Sequence, residues 1–330
     1  MTRQWSLFER EVQAKVKFRS ELVKTYKMVH QIYRLALLAT PFLLAGSICG
    51  YAGEVQVKSL KCAGGAYYPV QLSFDDGPQI PATVKVLDIL RAHGIKAQFF
   101  ISGSNFPNLA KGRQPTDKEK KLIEVIKRMK AEGHSIGSHS FAHIEHANVK
   151  TQSQQAVAAN LEANRKVLDA LGITGTIPFR FPYGDGWFGE TNAADEAQAD
   201  RVMTRIKASD FVPVHWDIDT WDWSKIKRKA LPGSMLKQIC SHSGGIVLMH
   251  DIHAWTADNL DALIRSIVKS GHKIVTPEEM KKHQNFVSFA DSAAGLFTCN
   301  RPVGDLDQVW RNCDEYRKRS SDLNDVEAGR

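Results

Sequence analysis

Residues 70–78 read VQLSFDDGP. Val70 to Phe74 is a strand-forming run that ends in two adjacent carboxylates, Asp75 and Asp76. Gly77-Pro78 then marks a turn, and helical patterning begins near residue 81. The same unit recurs along the chain. The patterning predicts strands at 70–74, 97–101, 135–138, 179–181, 212–216, 245–249 and 273–275. Helical stretches lie near 81–93, 117–132, 154–171, 193–207, 233–241 and 256–270. Short strands alternating with helices specify parallel βα units. Seven of them come close to a closed barrel, where chemistry gathers at the C-terminal strand ends. The loops 103–116 and 185–190, the latter with Trp187 and Phe188, should open on that face and are candidates for substrate contact.

Several predicted strand ends carry reactive side chains. Asp75 and Asp76 point different ways from a strand end, so one can bind a metal while the other takes a proton. Residues 139–143, HSFAH, put two histidines on one face if the stretch turns helically. With Asp76, His139 and His143 make a His₂Asp set, the donor number of an open catalytic metal site. His134 and His146 are nearby bystanders. Arg180 opens RFPYG and is placed to keep a carboxylate ionised. DTWDW at 219–223 sets two tryptophans among carboxylates, and LMHD at 248–251 ends an apolar strand in His250. Taken singly, each has an ordinary structural reading as a cap, a strand exit or a buried ring.

Together, in this order, SFDDGP, HSFAH, RFPYG, DTWDW and LMHD resemble the five motifs of the polysaccharide deacetylase family, the NodB homology domain of carbohydrate esterase family 4. The resemblance covers roughly residues 67–277 and implies a distorted (β/α)7 barrel forming a single catalytic domain. It implies Asp75 as the base, and Asp76, His139 and His143 as metal ligands. Arg180 would tether the base, and the Tyr183 amide would help hold the oxyanion. Asp222 would orient His250, the acid, with Trp223 and Leu248 lining the pocket. The implied cofactor is one divalent ion, zinc first, with cobalt or nickel also suited to such a donor set. The implied reaction is metal-dependent removal of N-acetyl groups from N-acetylglucosamine units of a polysaccharide. Peptidoglycan is the leading substrate, chitin or chitooligosaccharide the second, and acetylated xylan, an ester, the third. A non-catalytic glycan-binding module is the reading from a different class.

The rest of the chain concerns delivery. Of 330 residues, 43% are hydrophobic and 24% charged, which excludes a disordered chain, a collagen-like repeat and a multispan membrane protein. The net charge is +8, but eight bases against three acids in residues 1–53 supply most of it. The remainder is too balanced for a nucleic-acid footprint. Residues 35–48, LALLATPFLLAGSI, follow Arg34 and are short for a span of about 20 residues. They read as the h-region of a signal peptide, with cleavage near 47–53, or as a signal-anchor whose residues 35–51 would be the sole membrane contact. Initiation at Met28 would give a conventional short n-region. The expected organisation is signal or anchor 1–53, catalytic domain 54–280 and C-terminal extension 281–330, with a periplasmic or extracellular destination. Cysteines 62, 240, 299 and 313 then remain, with Cys299 and Cys313 able to pair across a short loop, or all four free.

Overall fold

The computed structural model describes residues 55–185 and 193–282 and two short strands, Ala290–Asp291 and Leu296–Phe297. The expected signal or anchor, Trp187 and Phe188, and nearly all of the C-terminal extension with Cys299 and Cys313 lie outside the described residues. Eight parallel strands carry the domain: β1 (Pro69–Asp75), β2 (Gln98–Ile101), β3 (Ser135–Ser138), β4 (Ile177–Phe179), β5 (Phe211–Pro213), β6 (Ile218–Asp219), β7 (Gly245–His250) and β8 (Lys273–Ile274). The long helices between them are α1 (Ala82–Ala92), α2 (Asp117–Ala131), α3 (Gln154–Ala170), α4 (Ala193–Ala208), α5 (Gly233–His242) and α6 (Ala254–Lys269).

The sheet order is β5-β4-β3-β2-β1-β7-β6, with β8 on β1. β5 and β6 are its two edges, yet only residues 214–217 separate them in sequence. Seven strands laid flat would be about 29 Å across. The chain from Pro213 to Ile218 reaches about 18 Å at most. The sheet therefore curls until its edges nearly meet, which is the distorted (β/α)7 barrel. One member differs from expectation. The predicted strand at 273–275 is not a barrel stave; β8 pairs only with Pro69 and Val70, beneath the place where β2 takes over the same edge of β1. The seventh stave is β6, whose two residues are too short to leave a pattern. β4 starts two residues earlier than predicted, because Pro178 disguises the run.

β1 shows how the strands aim side chains. Val70, Leu72 and Phe74 alternate with Gln71, Ser73 and Asp75, and the period of two puts the sets on opposite faces. The polar set forms a buried column: Gln71 donates to Gln98, and Ser73 donates to the Val247 carbonyl at 2.7 Å. β7 is buried from Gly245 to Met249, as a parallel strand covered on both sides must be. Outside the barrel, Thr116 and Glu119 close a capping box at the start of α2.

A strap, residues 55–62, runs along α6. The amides of Val55, Lys58 and Leu60 donate to Asn259, Ser266 and Ser270. It ends in a disulfide from Cys62 to Cys240 at the end of α5, 178 residues apart in sequence. That pairing was not among those expected. No helix among the described residues is long and apolar enough to cross a membrane.

Candidate active site

The C-terminal ends of β1, β3, β4, β6 and β7 surround a cleft of about 440 Å³. Asp75 closes β1 and is buried. Arg180 Nη1 donates to Asp75 Oδ1 and to Ser73 Oγ, both at 2.9 Å. The same guanidinium donates to the carbonyls of Val214 (3.3 Å) and His215 (3.2 Å) and lies 4.0 Å from the Phe100 ring centroid. It is fully buried and has no room to swing. Burial pushes Asp75 above the usual carboxylate range, while Arg180, His250 and His143 pull it back. The pairing is as expected, but its net result is a carboxylate more basic than a free aspartate.

Asp76, His139 and His143 meet beside it. Asp76 Oδ1 lies 3.5 Å from His139 Nε2 and 3.4 Å from His143 Nε2. The expected helical turn between the histidines does not form. Ser140 (φ 63°) and His143 (φ 51°) are left-handed, and this tight loop brings the rings to 5.0 Å. The Ser140 hydroxyl accepts from the His143 amide, and Asn160 Oδ1 from that of Phe141. Left-handed φ recurs around the cleft at Asp76 (75°), Tyr183 (63°) and Trp221 (51°). Among the described residues, only Asp210 and Ser243 share it elsewhere outside glycine. Such backbone is disfavoured for residues with a Cβ and concentrates where geometry serves a site.

The donor set fits a divalent cation. His139 Nδ1 is 3.0 Å from the Arg180 carbonyl, to which it can only donate. Its Nε2 is then a bare lone pair facing the Asp76 carboxylate. Burial pushes His139 down to about 3, with Asp76 opposing, so no proton relieves the contact at neutral pH. The three donor atoms lie within 4.8 Å of one another, the convergence a metal ion needs.

Across the cleft stand Asp222 and His250. Asp222 Oδ1 lies 2.7 Å from His250 Nδ1 and accepts the Trp223 amide at 3.1 Å. Oδ2 accepts the His250 amide (2.7 Å) and the Thr256 hydroxyl (2.6 Å). Burial alone would raise Asp222, but His250 and these donors lower it. Burial alone would lower His250, but the Asp222 carboxylate, with Asp75 and Asp76 further off, raises it to about 9. His250 is an imidazolium at neutral pH.

Residues 67–202 match the sequence profile of the polysaccharide deacetylases. The chitooligosaccharide deacetylase of Sinorhizobium fredii is 31% identical over 182 residues, covering 55% of this chain and 71% of that protein. The chain belongs to the polysaccharide deacetylase family. The peptidoglycan-N-acetylglucosamine deacetylase of Listeria monocytogenes is 32% identical over 220 residues, 64% of this chain. The chain spans 38% of the length of that relative. Among solved structures, the catalytic domain of the Eubacterium rectale peptidoglycan N-acetylglucosamine deacetylase superposes with a TM-score of 0.49 at 21% identity, covering 66% of this chain and 92% of that one.

In this polysaccharide deacetylase family member, Tyr183, Trp223 and Leu248 line the cleft. Tyr183 (64% exposed) sets its ring 4.5 Å from that of His143, and Trp223 (51% exposed) stands at the mouth. Phe181, Trp216, Asp219, Ile252 and His253 also line it and were not singled out from the sequence. All but Trp216 lie in or within two residues of a motif, so proximity was the signal available. None of 103–116 lines the cleft; Asn105 instead donates to the carbonyls of Asp76 and Gly77 and holds their turn. His134 and His146 are buried outside the cleft, as bystanders should be.

Proposed function

We propose that this chain removes N-acetyl groups from N-acetylglucosamine units of an extracytoplasmic polysaccharide, peptidoglycan first. The observation that carries this is the placement, across one cleft, of a buried carboxylate, Asp75, held by Arg180, opposite a histidine, His250, hydrogen-bonded to the Asp222 carboxylate. Hydrolysis of an amide needs both: a base for the attacking water and an acid for the leaving amine. Asp76, His139 and His143 would hold a divalent ion, zinc first, whose chemistry is to polarise the amide carbonyl and acidify water. Asp75, fixed by Arg180, takes the proton of the attacking water. The backbone amide of Tyr183, which sits in a left-handed turn, is the donor assigned to the developing oxyanion. His250, oriented by Asp222, protonates the departing amine, and acetate is released. Leu248 and Trp223 offer apolar and aromatic surface to the sugar.

Export is supported by the apolar run at 35–48 and by the Cys62–Cys240 disulfide, a bond that persists in oxidising compartments. The Listeria relative's substrate supports peptidoglycan. The test is acetate release from peptidoglycan, chitin oligomers and acetylxylan, with and without chelator, alongside elemental analysis. Release is expected on the amide substrates and is lost with chelator. His139→Ala should lose the ion; unchanged metal content in that variant would contradict the ligand set.

A further inference from the structure

The rim beside Trp223 carries a feature that the hydrolysis does not use. Residues 225–229 read KIKRK, four cations around Ile226, which is 80% exposed. Some exposed helix cations sit with acids, as Lys120 does with Asp117 (2.9 Å), Lys127 with Glu124 (2.7 Å) and Lys166 with Glu162 (2.8 Å). Among the described residues, Lys225, Lys227, Arg228 and Lys229 have no such carboxylate partner.

One of these cations is docked on a cleft aromatic, and a second on a tryptophan outside the cleft lining. Lys227 Nζ lies 3.3 Å from the ring centroid of Trp221, a residue of the cleft wall. Arg228 lies 5.0 Å from the Trp255 ring, and its Nη1 reaches the Asp222 carbonyl at 3.5 Å. Their charges are felt inside: Lys227 acts on Asp219 and Arg228 on His253, both cleft residues. A loop built only for a membrane surface has no need to fold its cations back onto the cleft wall. Lys227, against the cleft-lining Trp221 ring, sets positive charge within a Debye length, about 8 Å, of a polymer lying in the cleft.

We propose that residues 225–229 form a carboxylate-reading subsite, selecting a glycan that bears an acidic substituent on a sugar next to the one that loses its acetyl group. The proposal rests on the deacetylase reading and narrows its substrate: a neutral chitin chain gives the loop nothing to bind, whereas a carboxylated wall glycan does. Exposed charge pairs are modest, so the preference should be about 3- to 10-fold and should shrink as salt rises.

The test uses the full chain with its metal and three substrates: an N-acetylglucosamine oligomer, a carboxylated peptidoglycan oligomer and the same oligomer with its carboxylates amidated. Lys225→Gln/Lys229→Gln and Lys225→Glu/Lys229→Glu change only exposed side chains and should melt like the parent. The parent should favour the carboxylated oligomer through KM. The first double variant should lose most of that preference and the second should invert it, with the chitin-oligomer rate unchanged. Tryptophan fluorescence titration reads the same selectivity without turnover. Carboxylate-selective quenching that the variants abolish, with no acetate from any substrate, would sink the deacetylase reading and keep this one. Acetate release with equal preference in parent and variants would do the reverse. Binding to phosphatidylglycerol vesicles that depends on Lys225 and Lys229, without glycan preference, would assign the loop to a membrane and overturn the proposal.

Discussion

The two sides of the cleft use the same residue types to opposite ends. On one, Asp75 is pushed up by burial and its neighbour His139 is driven down to about 3. On the other, Asp222 is pulled down and His250 is raised to about 9. The histidines differ in what one ring nitrogen meets. His139 Nδ1 faces a backbone carbonyl, that of Arg180, whereas His250 Nδ1 faces the Asp222 carboxylate. A carbonyl fixes a neutral tautomer, while a carboxylate stabilises the cation. The carboxylates differ in their donors. Asp222 accepts from His250 twice, Trp223 and Thr256, while Asp75 has Arg180 on one oxygen and keeps the other toward the cleft. A fully satisfied carboxylate orients its partner; one left partly unsatisfied and desolvated can take a proton.

Removing the base breaks the contrast most severely. Asp75→Asn should lower kcat by about 10²- to 10⁴-fold, with the metal retained. Full acetate release from that variant would remove Asp75 from the mechanism.

The opposite side is read by pH. His250 is protonated below about 9, so activity should fall as pH rises through that value. Asp222→Asn removes the charge that opposes burial and should bring the alkaline limb below neutrality, a loss of about a hundredfold near pH 8.5. An unmoved limb would assign the acid elsewhere. Stability follows the same sign. A histidine whose pKa is raised on folding stabilises fully below its unfolded value of about 6.5, and that contribution is lost as pH rises through about 9. Urea midpoints across that window should decline in the parent and decline less in Asp222→Asn.

The smallest change sharpens the comparison. Thr256→Val deletes one of the donors to Asp222 and leaves its charge. It should cost about 1–2 kcal/mol of stability and shift the alkaline limb slightly. A shift as large as that of Asp222→Asn would mean that the donor network, rather than the charge, sets His250.

Much of this side-to-side design was legible in the residues. The stave Gly245–His250 stands out as an apolar, β-branched run after a turn signal, and each motif sits at a strand end, where topology forces convergence. What was hidden has physical reasons. β6 is two residues long and leaves no periodicity. The path between His139 and His143 depends on left-handed φ at Ser140 and His143, which no glycine announces. Cys62 and Cys240 meet through tertiary structure alone, 178 residues apart. The upward direction at Asp75 comes from total burial, a property of the folded barrel rather than of the DDGP string.

The span 214–217 joins the two edges of the barrel, and the carbonyls of Val214 and His215 are the ones that receive the Arg180 guanidinium. Closure of the hoop and aim of the base are thus set by one short tether. Lengthening it would slacken both together. Evolution of new substrate preferences in this scaffold has free play in its rim and almost none in that stitch.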